Sequence, residues 1–527
     1  MSYRSHFLAL PQYLTPALAA ALLSTLSTLI IISLSGSINA DATQYLIAAD
    51  TFKVSGWDAA EEIYPRPFYS VLIGGLSQIT HTSSFVSAQL LDISLLALLG
   101  YAFVKVIQAL GGDRRAQWIG ACLIVLLPTL ADYRDYLIRD FGYWAFMLLA
   151  LNALIRFQAN ARLLQAGQWC AYSGIAMLFR PEAVLLLVLV PTALLLPSPQ
   201  SLVLRLKLTA KLYGLLLAGL LIALAIGLST GLQLQDKFIE LALSPLLEQA
   251  NQLAISLPKY TQVMASEILN RHSEEHAALS VSLVLSGIFV ATLLSALTPI
   301  IVFLGLYLWK KGQLRWPRNT PYLMMHIVLA GILINFLLFK HFMQARYMLL
   351  TALLLLIPLC IGLSREYDNI ARSKVKKGLL FTLAMLVLLD NHISTSSHEH
   401  DQDSLAWLQQ HSSQDDWIYT NDHQLAYFSG LTFDWNDILY AKRRLEKTPA
   451  SRLYGYDFVA LNVGRKDAKI QAYAETLSAL NYHQRAKFSN NRGDQIIIFE
   501  SPDAHRQRES DQWQSAHKQA FHNPNRG

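Results

Sequence analysis

Eleven apolar runs constrain this chain more than any other feature. They lie near 14–36, 84–104, 117–131, 141–155, 168–179, 182–197, 212–231, 277–308, 320–339, 347–363 and 378–393. A helix needs about 20 apolar residues to cross the roughly 30 Å of a bilayer's hydrocarbon core. The shortest run, 168–179, reads as a half-span or as one that extends into its flanks. Only 15% of the residues are charged, against about 25% in soluble domains. The sequence therefore predicts a polytopic α-helical membrane protein of about 11 spans.

Lys and Arg in the short loops set the orientation. With the N-terminus inside, the inner loops hold 18 Lys and Arg in 75 residues, and the outer segments hold 10 in 109. An odd number of spans then places the C-terminal segment outside. The apolar stretch of the first run, about 21 residues, exceeds the 7–15 of a signal peptide, so it is read as a retained span. The net charge of +6 is no nucleic-acid signature, because the cations sit between apolar runs. Cys122, Cys170 and Cys360 all fall in or beside such runs, which leaves no disulfide framework and no zinc spacing.

From about 394 the chain turns polar. Segments 417–420, 458–463 and 495–499 read as strands, and Ala468 to Leu480 has helical period. The expected layout is a transmembrane catalytic region over 1–393, a small α/β domain over 394–502 and a disordered tail over 503–527.

The outer face collects the unusual ionisable residues. Asp41 stands at the mouth of a span, where an unpaired charge is costly. Asp50, Asp58, Glu61 and Glu62 read as a solvated acidic loop, followed by a juxtamembrane helix over 68–79. Asp132, Asp135, Arg139 and Asp140 have the spacing of one helical stripe. That stripe is either a self-neutralised helix start or a place where Asp140 helps hold a divalent cation or an acceptor group. Arg180 opens a span with Pro181 at the first helical position. Lys340 and Arg346 flank 341–345. These outer cations oppose the usual inside bias, so they either anchor lipid headgroups or grip a phosphate.

The order of these features resembles the C-type (GT-C) membrane glycosyltransferases. More closely, it resembles the bacterial branch related to protein O-mannosyltransferases and the lipid A aminoarabinose transferase. The likeness is carried by Asp41 with Tyr45, Pro65 to Tyr69, Leu137 to Asp140, Phe179 to Glu182 and Ala345 to Tyr347. A C-terminal α/β domain preceded by Ala406-Trp407-Leu408 adds to it. The resemblance implies inverting transfer of a sugar from a polyprenyl-phosphate donor to an acceptor on the outer face.

In that scheme Asp41 is the base or a metal-orienting carboxylate, with Asp140 as its catalytic or metal-binding companion and Mg²⁺ or Mn²⁺ as the ion. Arg346, Arg180, Lys340 and Arg139 hold the donor phosphate. Tyr45, Arg66, Tyr69, Tyr347, Asp132 and Asp135 contact substrate. Asp41 is followed by Ala-Thr-Gln rather than a second acidic residue, so a lipid or glycan acceptor is favoured over protein. The outer domain has no Asn-x-Ser/Thr sequon, which points to a bacterial inner membrane with a periplasmic C-terminal domain. The rival reading is a non-catalytic flippase, transporter or assembly scaffold for lipid-linked glycans.

Overall fold

The computed structural model describes residues 14–34, 39–197, 200–230, 258–374, 378, 382, 399–413, 415–434, 437–438, 453, 455–464, 477–490, 493–501 and 520–521. In chain order the helices are α1 (Pro16–Leu34), α2 (Ala40–Ile63), α3 (Phe68–Thr80), α4 (Ser84–Ala109), α5 (Arg114–Leu126), α6 (Pro128–Ala131), α7 (Asp140–Asn160), α8 (Leu163–Phe179) and α9 (Ala183–Leu189). They continue as α10 (Leu202–Thr230), α11 (Ala277–Lys310), α12 (Thr320–Lys340), α13 (Ala345–Arg372), α14 (Glu399–His411) and α15 (His423–Ser429).

Ten of the eleven apolar runs are therefore helical. The eleventh, 378–393, lies outside the described residues except for Gly378 and Thr382. The short run at 168–179 extends back to Leu163. Among the described residues Pro16–Ser33, Ser84–Ala109, Glu274–Lys310, Thr320–Lys340 and Ala345–Arg372 are long and apolar enough to cross a bilayer. The chain is a multi-pass helical membrane protein.

It forms two compact units, one of Met1–Leu29, Asp92–Arg134 and Arg139–Asn391, the other of Ile30–Leu91, Asp135–Ile138 and His392–Gly527. In the first, α7 is buried on nearly every face, as a helix apolar all round should be. Its partner is α8. At Gly142 a Cβ would stand 2.5 Å from the Phe179 ring, so only glycine lets the two helices approach this closely.

Arg134 is the unusual member of this interior. It is fully buried, and its Nη1 donates to the Ser24 carbonyl at 3.2 Å and to Thr28 Oγ1 at 2.9 Å. Its Nη2 donates to the Ile124 carbonyl at 3.3 Å. Every partner it has among the described residues is a neutral oxygen. The guanidinium staples α1 to the end of α5 and anchors the turn that follows α6.

In the second unit α2 and α3 form a helical pair. The first outer segment is thus mostly helix rather than loop. Gly56, at φ +82°, interrupts α2, a left-handed conformation that glycine adopts without strain. The helix expected over 68–79 is present as α3.

The polar C-terminal part carries strands β1 (Ile418–Thr420), β2 (Phe433–Asp434), β3 (Phe458–Val463), β4 (His483–Ser489), β5 (Gln495–Glu500) and β6 (Ala520–Phe521). A four-stranded sheet runs β1-β3-β5-β4, with β1 parallel to β3 and the other pairs antiparallel. The three expected strands are there. Strand β4 was not expected: it is exposed along most of its length, and it reads His-Gln-Arg-Ala-Lys without apolar alternation. Cations on an edge strand keep it from pairing with other chains.

The helix expected over 468–480 lies outside the described residues apart from its last turn. So does most of the 503–527 tail, although Ala520–Phe521 pairs with β2. Tyr456 is buried in this domain and donates to Asp437 Oδ2 at 2.9 Å. Burial, then the nearby Asp437 and Asp434 carboxylates, hold its phenol well above the ordinary tyrosine range.

Replacing Arg134 removes three hydrogen bonds from the interior of the first unit. Arg134→Met should lower stability by about 2–3 kcal/mol, the usual cost of breaking a buried polar network. Arg134→Lys should recover only part of it, because an ammonium cannot fork between α1 and α5. Thermal unfolding midpoints of the detergent-solubilised variants check this; a lysine variant as stable as the natural protein would refute it.

Candidate functional site

The first unit gathers charge at the start of α7. Asp140 opens that helix and is 4% exposed. Its Oδ1 accepts a hydrogen bond from Arg180 Nη1, and Glu182 Oε1 stands 3.6 Å from Arg180 Nη2. Burial alone would lower the Arg180 pKa. The Asp140 and Glu182 carboxylates more than offset that and hold it well above the ordinary guanidinium value. The arginine stays charged at any working pH.

Arg180 is also framed by rings. Its Cζ is 5.8 Å from the Tyr143 centroid and 5.1 Å from that of Tyr347. Arg346 sits over the same Tyr347 ring at 5.0 Å, and its Nη2 donates to the Tyr347 hydroxyl at 3.1 Å. Two guanidinium groups remote in sequence thus meet at one tyrosine. Phe336 packs on that ring as well, at 4.8 Å. Cation–π contacts hold an arginine in place without consuming its N–H donors.

Other residues of the sequence reading lie elsewhere. Lys340 is exposed, with its ammonium 4.4 Å from the Phe339 centroid. Arg139 is the half-buried N-cap residue of α7. Asp132 is exposed and Asp135 half-buried. The helical stripe proposed for 132–140 is not formed: the chain turns from Asp132 to Asp135 and becomes helical again only at Asp140. The interleaved Arg134 serves the helix interior instead of neutralising its neighbours. Pro181 precedes α9 instead of occupying its first position, since that helix starts at Ala183 with Glu182 as N-cap.

The second unit carries Asp41. It is half-buried in the first turn of α2, where the positive end of the helix dipole favours a carboxylate. The preceding Asn39 makes a reciprocal pair with the backbone of Leu137. Its Nδ2 donates to the Leu137 carbonyl at 3.2 Å, and the Leu137 N–H donates to its Oδ1 at 2.8 Å. The start of the Asp41 helix is thereby fixed to the segment that links Asp135 to Arg139.

Behind Asp41, Tyr45 meets Tyr64 and Tyr69 edge-on, each at 5.0 Å. Tyr45 and Tyr69 are buried, and Arg66 is half-buried in the α2–α3 connection. Sequence reasoning missed Asn39 and Tyr143. A helix-start residue type just before Asp41 was the one signal for Asn39.

A divalent cation needs several hard oxygen ligands. Among the described residues no group of three or more His, Cys, Asp and Glu side chains stands close enough to hold one. Asp140 already faces a guanidinium. Among the described residues the donor set does not fit a resident metal ion.

No family model and no curated protein matches the chain. Solved structures do. The crystal structure of ArnT from Cupriavidus metallidurans in the apo state is similar over 91% of this chain and 97% of that one, with TM-score 0.50 and 12% identity. The same protein bound to undecaprenyl phosphate gives a TM-score of 0.49 at 12% identity over 91% and 97%. The archaeal oligosaccharyltransferase AglB from Archaeoglobus fulgidus, in complex with an inhibitory peptide and a dolichol-phosphate, gives 0.48 at 12% over 90% of this chain and 74% of that one. The resemblance to GT-C membrane glycosyltransferases therefore holds at the level of the fold.

Removing one partner of the Asp140–Arg180 pair leaves a buried charge uncompensated, a loss of about 3–5 kcal/mol. Arg180→Gln should therefore unfold at clearly lower temperature, and adding Asp140→Asn should restore most of the loss. A double variant as unstable as Arg180→Gln would show that the pair is not what binds these two residues.

Proposed function

We propose that this chain is a membrane glycosyltransferase that moves a sugar from a polyprenyl-phosphate donor to a lipid or glycan acceptor, with inversion. The meeting of Arg180 and Arg346 at Tyr347 carries the reading. Two fixed guanidinium forks half-shielded from water suit a phosphate group that gains charge as it leaves. The shared fold supports the reading.

In this mechanism the Asp41 carboxylate accepts the proton of the acceptor hydroxyl. The oxygen attacks the anomeric carbon as the bond from that carbon to the phosphate oxygen breaks. The phosphate departs with the bonding pair, and Arg180 and Arg346 meet its charge. Asp140 and Glu182 hold Arg180 charged and oriented. Lys340, exposed at the end of α12, and Arg139 lie at the margin of phosphate recognition, and Tyr45, Arg66, Tyr69, Tyr347, Asp132 and Asp135 line substrate. Asp41 belongs to one compact unit and the arginines to the other. The chemistry belongs to the periplasmic face of a bacterial inner membrane, with the N-terminus cytoplasmic.

Purified protein incubated with radiolabelled polyprenyl-phosphate sugars tests the scheme. Asp41→Asn should cut transfer about 10²–10⁴-fold, the usual contribution of a general base, while donor binding persists. Arg346→Ala should weaken donor binding. Full transfer by Asp41→Asn would remove the general-base role, and no transfer by the natural protein would favour a flippase or scaffold.

A further inference from the structure

Asp50 was read as one of several solvated acidic residues. Asp58 and Glu62 are indeed exposed, but Asp50 is 1% exposed. Its carboxylate is fully engaged. Lys53 Nζ lies 2.7 Å from Oδ1, Ser84 Oγ donates to Oδ1 at 2.6 Å, and the Tyr427 hydroxyl donates to Oδ2 at 2.7 Å. Three elements meet there: α2, the first residue of α4, and α15 of the C-terminal domain. All lie within one compact unit.

The two sides of this joint are stiff. Helix α15 is capped by Asp422, whose Oδ1 accepts from the Gln424 and Leu425 N–H groups. The other oxygen of Asp422 accepts from Asn462 Nδ2 of β3 at 2.7 Å, so α15 is tied to the sheet. Phe428, next to Tyr427, packs edge-on against Phe85 at 5.2 Å. On the other side, a Cβ at Gly74 of α3 would meet the Ala49 carbonyl at 2.8 Å, so α3 lies directly against the Asp50 turn. Lys53 also donates to Ser77 of α3 at 3.4 Å.

Helix α2 carries Asp41 on the same rod, ahead of the break at Gly56. By helix geometry Asp41 lies about 13 Å along the axis from Asp50 and about half a turn around it. We infer that Asp50 and Tyr427 are positioning residues, through which the C-terminal domain fixes the angle of the helix that bears Asp41. This rests on the catalytic reading of Asp41 given above. It assigns the domain a part in the reaction without substrate contact. A buried carboxylate suits the task, because its directional bonds are costly to leave unmade.

The test uses full-length protein in detergent with Tyr427→Phe, Asp50→Asn and the double variant. Phenylalanine keeps the ring packing and deletes only the hydroxyl. In each variant turnover from the best radiolabelled polyprenyl-phosphate sugar should fall about three- to tenfold with donor KM unchanged, the scale of one net hydrogen bond. Amide hydrogen exchange over 42–49 should quicken at least severalfold, on the same scale. The double variant should do no worse than Asp50→Asn, since both substitutions break one joint.

Unchanged exchange over 42–49 would overturn the inference. So would faster exchange with unchanged turnover, or additive losses in the double variant. The exchange measurement needs no donor. A failure of the Asp41 reading, seen as full transfer by Asp41→Asn, is therefore separable from a failure of the joint.

Discussion

A guanidinium taken out of water must be given oxygen atoms, and the first unit is arranged around two such groups. Arg134 meets carbonyls and a hydroxyl through Nη1 and Nη2, Arg180 carboxylates and ring faces. The difference has chemical consequences. Neutral oxygens take hydrogen bonds from both Nη groups of Arg134 but do not balance its charge, so it serves as a structural rivet between α1 and α5. Arg180 has its charge balanced, and its remaining edge is oriented by Tyr143 and Tyr347. A cation prepared in this way meets an incoming anion without first reorganising, which is the condition for electrostatic stabilisation of a leaving group.

The same reasoning separates Arg346 from Lys340. Both flank the break between α12 and α13, and both stand out in the sequence as cations against the inside bias. The arginine is laid over the Tyr347 ring that also receives Arg180. The lysine lies over Phe339, a ring that no second cation shares among the described residues, and stays exposed. An exposed ammonium on a flexible stem behaves as a screened point charge, whereas a stacked planar fork has already lost its rotational freedom. Of the two, the arginine is the one to which the proposed phosphate role falls first.

What the sequence made legible follows from the range of the forces involved. Apolar runs register burial over a whole span, so the helices and the three apolar strands stand out. Charge patterns register only neighbours along the chain. The 132–140 cluster has helical spacing, yet Arg134 finds its partners at Ser24, Thr28 and Ile124, and the chain turns to deliver it. Asp50 looked solvated beside Asp58 and Glu62 because its partner Tyr427 lies in another domain of the sequence. Strand β4 lacks the alternation of a half-buried strand because little of it is buried. The Arg180–Tyr347–Arg346 meeting is likewise a long-range fact, although each arginine had already stood out as a cation against the inside bias.

The arrangement at α2 bears on the role proposed for Asp41. A general base must be aimed, yet a side chain at the first turn of a helix has no preceding turn to brace it. Here the brace comes from both ends of the rod. Asn39 ties its start to the backbone of Leu137 with two hydrogen bonds, and Asp50 ties its body to α4 and α15. Tyr45, wedged between Tyr64 and Tyr69, blocks rotation about the axis on the intervening turn. Three anchors spaced along one helix define its position, tilt and rotation. Asp41 needs no contact with the sheet to be held by it.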